Sequence, residues 1–181
     1  NTRKSIDHDQ LGATLEHALA GGVRLQGSAW AGTRDVVQYQ AIPLVFQNAV
    51  THSGAVVDLD REFGGVALRL FSDASLGGKP LRLSAGLEYE RMAERRRGYL
   101  NNNGTAGALK RDEDNVVSST GVFAQGEWRL AERWSAHAGV RSTRAEFEST
   151  DFFIVTGNPD DSAAVDYSAT TPVAGLLFRL D

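Results

Sequence analysis

Apolar and polar residues alternate with period two along most of this chain. The clearest stretch covers residues 122–144. Val122, Ala124, Gly126, Trp128 and Leu130 alternate with Phe123, Gln125, Glu127 and Arg129. A tight turn is predicted at residues 131–133. Beyond it Trp134, Ala136, Ala138 and Val140 alternate with Ser135, His137, Gly139 and Arg141. Side chains alternate across a strand, so each strand has one apolar, small-residue face and one polar face. A Trp stands on the apolar face at either end of the turn.

The same rhythm recurs upstream. Leu11, Ala13 and Leu15 alternate with polar neighbours, and a short turn follows at residues 20–22. A strand from Val23 runs toward Tyr39. Residues 41–55, with Pro43 and Gly54, read as a long connection. The next strand starts through Val57, Leu59 and Arg61, then its parity slips to Val66, Leu68 and Leu70. Gly64–Gly65 is a natural place for a bulge that absorbs the slip. Residues 73–79 read as a short polar turn. Leu81, Leu83, Ala85, Leu87 and Tyr89 then alternate without error with Arg82, Ser84, Gly86, Glu88 and Glu90. This strand continues through a basic stretch, residues 91–97, and ends near Tyr99. Residues 100–115 read as a long loop, with Asn101–Asn102–Asn103–Gly104 as its turn signal. Residues 149–166 read as a third long loop before a last strand over residues 167–180.

Seven strands result, with connections in the order short, long, short, long, short, long. In a meander this puts every short turn at one end and every long loop at the other. A soluble sandwich has little reason to keep that order. A transmembrane barrel does, because short turns face the periplasm and longer loops face outside. The expected fold is therefore all-β: an antiparallel up-and-down meander of about seven strands, part of a large transmembrane β-barrel. A small closed eight-stranded barrel, soluble and lipocalin-like or embedded in a membrane, is the alternative.

Composition narrows the choice slightly. The chain has 181 residues, 41% hydrophobic and 23% charged, and no apolar run approaches the roughly 18 residues of a spanning helix. A net charge of -4 gives no basic field for nucleic acid. There is no cysteine, hence neither disulfide nor thiolate metal site. The chain opens at Asn1 and its single Met is Met92, so it reads as a mature or excised piece of something longer.

Two segments carry a family resemblance. TGVFAQGEWRLAERWSAHAGVR resembles the strand–turn–strand that recurs in the barrel of TonB-dependent outer-membrane receptors, through Gln125, Trp128, Trp134, Gly139 and Arg141. TTPVAGLLFRLD resembles the downward strand after the next outer loop, with Pro172 and Gly175 in place. LKRDEDN, residues 109–115, is similar to the end of an outer loop. The resemblance implies a barrel of about 22 strands with a plugged lumen, of which seven strands are about a third. Residues 1–181 would then be a mid-barrel fragment without plug or signal peptide. It also implies the bacterial outer membrane, a ferric siderophore or similar nutrient as ligand, outer-membrane lipid as surroundings, and the TonB complex as partner through the plug.

Candidate chemistry is sparse. Glu88 and Glu90 share a strand face about 7 Å apart, a spacing some glycosidases use. Lining a wet lumen and pairing with neighbours such as Arg82 explains them better, so no catalytic residue is expected. The histidines His8, His17, His52 and His137 have no ligand spacing, and Asp112–Glu113–Asp114 lacks that of a calcium loop. No metal and no cofactor are expected. Arg95, Arg96, Arg97 and Tyr99 are placed where a strand passes into a long loop. They are the candidate ligand contacts, since Arg offers charge-assisted hydrogen bonds and Tyr stacking to anionic aromatic chelates. An exposed basic rim facing lipopolysaccharide phosphates is the competing reading. Trp128 and Trp134 are expected to be membrane-interface anchors.

Overall fold

The structure is a computed structural model that describes residues 2–180; Asn1 and Asp181, the chain ends, lie outside them. Seven strands form: β1 (Arg3–Ala18), β2 (Val23–Tyr39), β3 (Val56–Leu76), β4 (Lys79–Asn102), β5 (Thr105–Arg129), β6 (Trp134–Asp151) and β7 (Ala163–Phe178). They make one antiparallel sheet in chain order. β1 and β7 do not pair with one another, so the described residues form an open arc rather than the closed eight-stranded barrel.

The register explains the alternation. Leu25, Leu70, Ala85, Ala124, Val140 and Pro172 stand opposite one another across six strands. They belong to an apolar band on one face, here called the outer face. Within it Leu68, Leu70, Leu83, Leu87 and Val122 are each 42–51% exposed. The apolar residues that are buried number four among the described residues: Val36, Ala55, Val56 and Ala67. Soluble monomers rarely leave so continuous an apolar surface uncovered, which fits a band covered from outside the chain. Along β2 the outer residues Ala31, Thr33, Asp35 and Val37 are exposed, while Gly32 and Arg34 between them are half-buried and Val36 is buried. The sheet therefore curls toward its inner face, as a barrel wall does.

Four expectations change. Residues 100–115 are not a loop: β4 and β5 run on to a two-residue turn at Asn103 and Gly104, both with positive φ (54° and 96°). Asn-Gly suits such a turn because both residues tolerate the left-handed region. The stretch looks loop-like because both strand faces are polar there. Asp112, Glu113 and Asp114 accordingly belong to a strand, not to a solvated loop, and residues 91–97 lie well inside β4. Secondly, no bulge occurs at Gly64–Gly65; the pairing of β3 with both neighbours is continuous there. The slip is a change of apolar face: Val57 and Leu59 are inner residues near the long-connection end, whereas Val66, Leu68 and Leu70 belong to the outer band. The register shifts lie instead beside Tyr99, between Gly98 and Asn101. Thirdly, the predicted turn at residues 73–79 shrinks to Gly77 and Gly78, with φ of 60° and 70°. Finally, β1 and β7 begin earlier than the apolar alternation suggests, and a short helix, α1 (Leu44–Gln47), sits inside the long β2–β3 connection.

Candidate functional site

The inner face holds the polar groups, and backbone geometry places them. At the level of the band, glycines alternate with large flat side chains across paired strands. Trp30 is directly opposite Gly65, Phe63 opposite Gly32, Phe123 opposite Gly86 and His137 opposite Gly175. A methyl at Gly32 would lie 2.6 Å from Phe63 Cζ, at Gly86 2.7 Å from Phe123 Cε1, and at Gly175 2.7 Å from His137 Cδ2. Each ring lies down over its glycine instead of projecting inward. His8 then stacks on Phe63 with ring centroids 5.6 Å apart.

One carboxylate organises the centre of this wall. Glu88 on β4 accepts from Arg69 Nη2 on β3 and from Arg141 Nη2 on β6, each at 2.8 Å. Arg141 reaches across all of β5 to do so. It can because Gly121 lies beneath it: a methyl there would be 2.8 Å from Arg141 Nη2. Glu88 and Glu90 do share the inner face, but the expected partner Arg82 instead approaches Asp73, at 3.8 Å.

Beyond the band, toward the long connections, the inner face becomes rich in arginine. Arg34 on β2 stands directly opposite Arg61 on β3, which stands opposite Glu94 on β4. Arg61 Nε donates to Glu94 Oε2 at 2.9 Å, and Glu94 is only 8% exposed. One step further Arg96 faces Glu113, whose carboxylate is already ion-paired with Arg111. Arg96 is among the candidate contacts, but Arg34, Arg61 and Arg111 escape the sequence because single charges in an alternating strand carry no spacing signal; only the strand register brings them together.

The β2–β3 connection roofs this row. Gln47 of α1 is fully buried; its side chain donates to Ile42 O and accepts from Asn101 N at 2.7 Å. Asn101 Nδ2 donates to Gln40 O at 2.9 Å, and Ala55 N donates to Tyr99 O at 2.9 Å. Gly98, two residues beyond Arg96 on the same face, lies so close under Ser53 O that no side chain fits. The β6–β7 connection comes near this roof at Gly157, where an added methyl would lie 3.5 Å from Val50 Cγ1. Val45 and Phe46 remain 73% and 63% exposed on it.

The candidate ligand contacts do not share a face. Arg95 and Arg97 are outer residues. Arg95 Nε and Nη2 each donate to Asp112 at 2.8 Å and Nη1 reaches Asp114 at 3.3 Å, while Arg97 bonds Asp60 and lies 3.5 Å from Asp58. Arg96 is inner, and Tyr99 supports the roof through its carbonyl. Trp128 and Trp134 both lie on the outer face at the short-turn end of the band. Trp128 Nε1 donates to Leu76 O at 3.2 Å, and Trp134 packs on Phe178 with centroids 4.7 Å apart. No group of acids and histidines that could hold a metal ion occurs among the described residues.

Known proteins share this architecture. The structure of the siderophore receptor PiuA from Acinetobacter baumannii superposes with a TM-score of 0.78 at 16% identity, covering 98% of this chain and 31% of that one. The ferric citrate transporter FecA gives 0.81 at 12% identity, covering 99% and 26%. The alcaligin outer-membrane receptor FauA from Bordetella pertussis gives 0.74 at 14%, covering 99% and 27%. The chain thus spans a quarter to a third of these structures, and at such identities they share its fold. A family model described as TonB dependent receptor-like, beta-barrel matches residues 1–181. With its two-faced, open-edged meander, the chain belongs to the TonB-dependent receptors, within their β-barrel.

Proposed function

We propose that the chain is one arc of an outer-membrane receptor that imports a ferric siderophore or a similarly scarce nutrient. The long outer connections and the inner wall beneath them bind the ligand. A plug, moved through the TonB complex, releases it inward; no covalent chemistry is involved. The observation that carries this reading is the inner face itself: a wall lined with arginine and carboxylate, backed by a lipid-facing apolar band and roofed by the β2–β3 connection, which the β6–β7 connection approaches at Gly157. Trp128 and Trp134 anchor the short-turn end at the periplasmic interface, where amphipathic rings are favoured. Among the four candidate contacts, Arg96 is the one that faces the lumen. Arg95 and Arg97 brace β4 against its neighbours.

Disruption of the full-length gene tests the proposal. Accumulation of radioactive iron from ferric chelates should fall under iron limitation, and should fall equally when the TonB complex is inactivated in the intact strain. Uptake that persists in both strains would refute the receptor role.

A further inference from the structure

Arg34 and Arg96 stand out on the inner wall. Arg61 is neutralised by Glu94, and Arg111 occupies Glu113. The guanidiniums of Arg34 and Arg96 make no hydrogen bond or ion pair with any described residue, although both side chains are half-buried. Arg34 stands between His8 and Arg61, its two direct cross-strand partners, and neither offers it a negative charge. From strand spacing and rise, their Cβ atoms lie about 12 Å apart. Two arginine side chains reaching from those positions can close on one small ligand.

The two faces of the wall differ sharply at this height. On the outer side, Asp35, Asp58, Asp60, Asp112 and Asp114 dominate, and the cations Arg95 and Arg97 are held by four of these. On the inner side the four cations Arg34, Arg61, Arg96 and Arg111 outnumber the three carboxylates Glu94, Glu113 and Asp151. An approaching anion is repelled from the outside of the rim and drawn to its inside, where low-dielectric walls focus the field.

We infer that Arg34 and Arg96, flanking the Arg61–Glu94 pair, form an anion site that selects multiply charged, carboxylate-rich metal chelates over neutral ones. This rests on the receptor reading and specifies the ligand class within it. Guanidinium suits the role because its planar fork grips a carboxylate through two parallel hydrogen bonds and stays charged at every relevant pH. Glu94 holds Arg61 back, so the site exposes two cations rather than three. The Ser53 backbone over Gly98 closes the site from above, limiting water around the bound carboxylates.

The test uses the purified full-length receptor in detergent, with radioactive ferric citrate and a neutral ferric trihydroxamate as probes. Expected is tighter binding of ferric citrate, weakening with salt. Arg34→Gln and Arg96→Gln should each lower that affinity about tenfold, the loss of one charge-assisted hydrogen-bonded pair. Arg91→Gln, on the outer face, should change nothing, and circular dichroism at matched concentration should show all variants folded. Equal binding of both probes, or citrate binding indifferent to both inner substitutions, overturns the inference and leaves the receptor reading standing. Failure to bind any ferric chelate, whatever its charge, overturns both.

Discussion

Trp30 lies flat across Gly65, its direct partner on the neighbouring strand, so that a methyl group at position 65 would run into the indole and sit 2.8 Å from Tyr89 O. Gly65→Ala is expected to destabilise the folded barrel by about 1–3 kcal/mol through overpacking. Gly27→Ala, whose added methyl would meet only Leu68 Cδ1 at 4.0 Å, should be nearly neutral. Heat-modifiable migration of the full-length barrel on gels, scanned in urea, compares the two. Equal midpoints would show that the ring yields freely.

The Glu88 clamp makes a coupling prediction. Arg69 and Arg141 are 43% and 47% exposed, so water screens much of their attraction to Glu88. A double-mutant cycle of Glu88→Gln with Arg141→Gln should give a coupling of about 0.5–1 kcal/mol. Gly121→Leu should abolish it, because a side chain there blocks the path of Arg141 over β5. Gly121→Ala should not, since the far end of an arginine moves easily.

Outer and inner positions should respond oppositely to charge. Leu83→Arg puts a guanidinium in the apolar band one step inward from the Trp128 row and should cost about 1–2 kcal/mol, between the interfacial and midplane values. Ser84→Arg, one residue on, faces the inner wall and should be tolerated. Folded yield in lipid vesicles reads the difference; equal yields would contradict the assigned faces.

The β2–β3 roof depends on one buried amide. Gln47→Ala leaves Asn101 N–H and Ile42 O without their partner, at a cost of about 1–3 kcal/mol for a buried unsatisfied group. Hydrogen exchange at Asn101 and along residues 40–55 should accelerate, while exchange in the band stays slow. Unchanged protection at Asn101 would mean that the roof is held elsewhere.

Asp160, in the β6–β7 connection, is held below the usual carboxylate range by hydrogen bonds from Ser162, first its side chain and then its backbone N–H. Because the folded value is depressed, the ionised turn favours the folded connection above the ordinary carboxylate pKa. That contribution disappears as pH falls through the lower, folded value. Ser162→Ala should raise the Asp160 pKa and release the Asp151 N–H that Ser162 Oγ accepts. Carboxyl-carbon NMR titration measures the shift; an unmoved pKa would remove the Ser162 hydroxyl as its main cause.

Within the band the strands were legible because one face is uniformly apolar. Residues 81–90 show the period without exception, and the turn at residues 131–133 falls inside the observed β5–β6 connection. Beyond the band the signal fails for a physical reason: both faces meet water or headgroups, so period two vanishes while hydrogen bonding continues. That is why residues 100–115 read as a loop and why Arg95, Arg96 and Arg97 read as one cluster although they alternate faces. The Arg69–Glu88–Arg141 clamp needed a register spanning four strands, and Gly121 as its permissive element has no meaning without that register.

The unpaired edges of β1 and β7 bear on how such an arc enters a membrane. Along the apolar band each edge presents N–H and C=O groups with no water to meet them, and each bare group in hydrocarbon costs several kcal/mol. Seven strands therefore cannot insert first and wait. The ladder must stay zipped to neighbouring strands or a template at both margins as it crosses the lipid. Insertion and closure become a single concerted passage, and a barrel halted midway is bound for edge-to-edge aggregation.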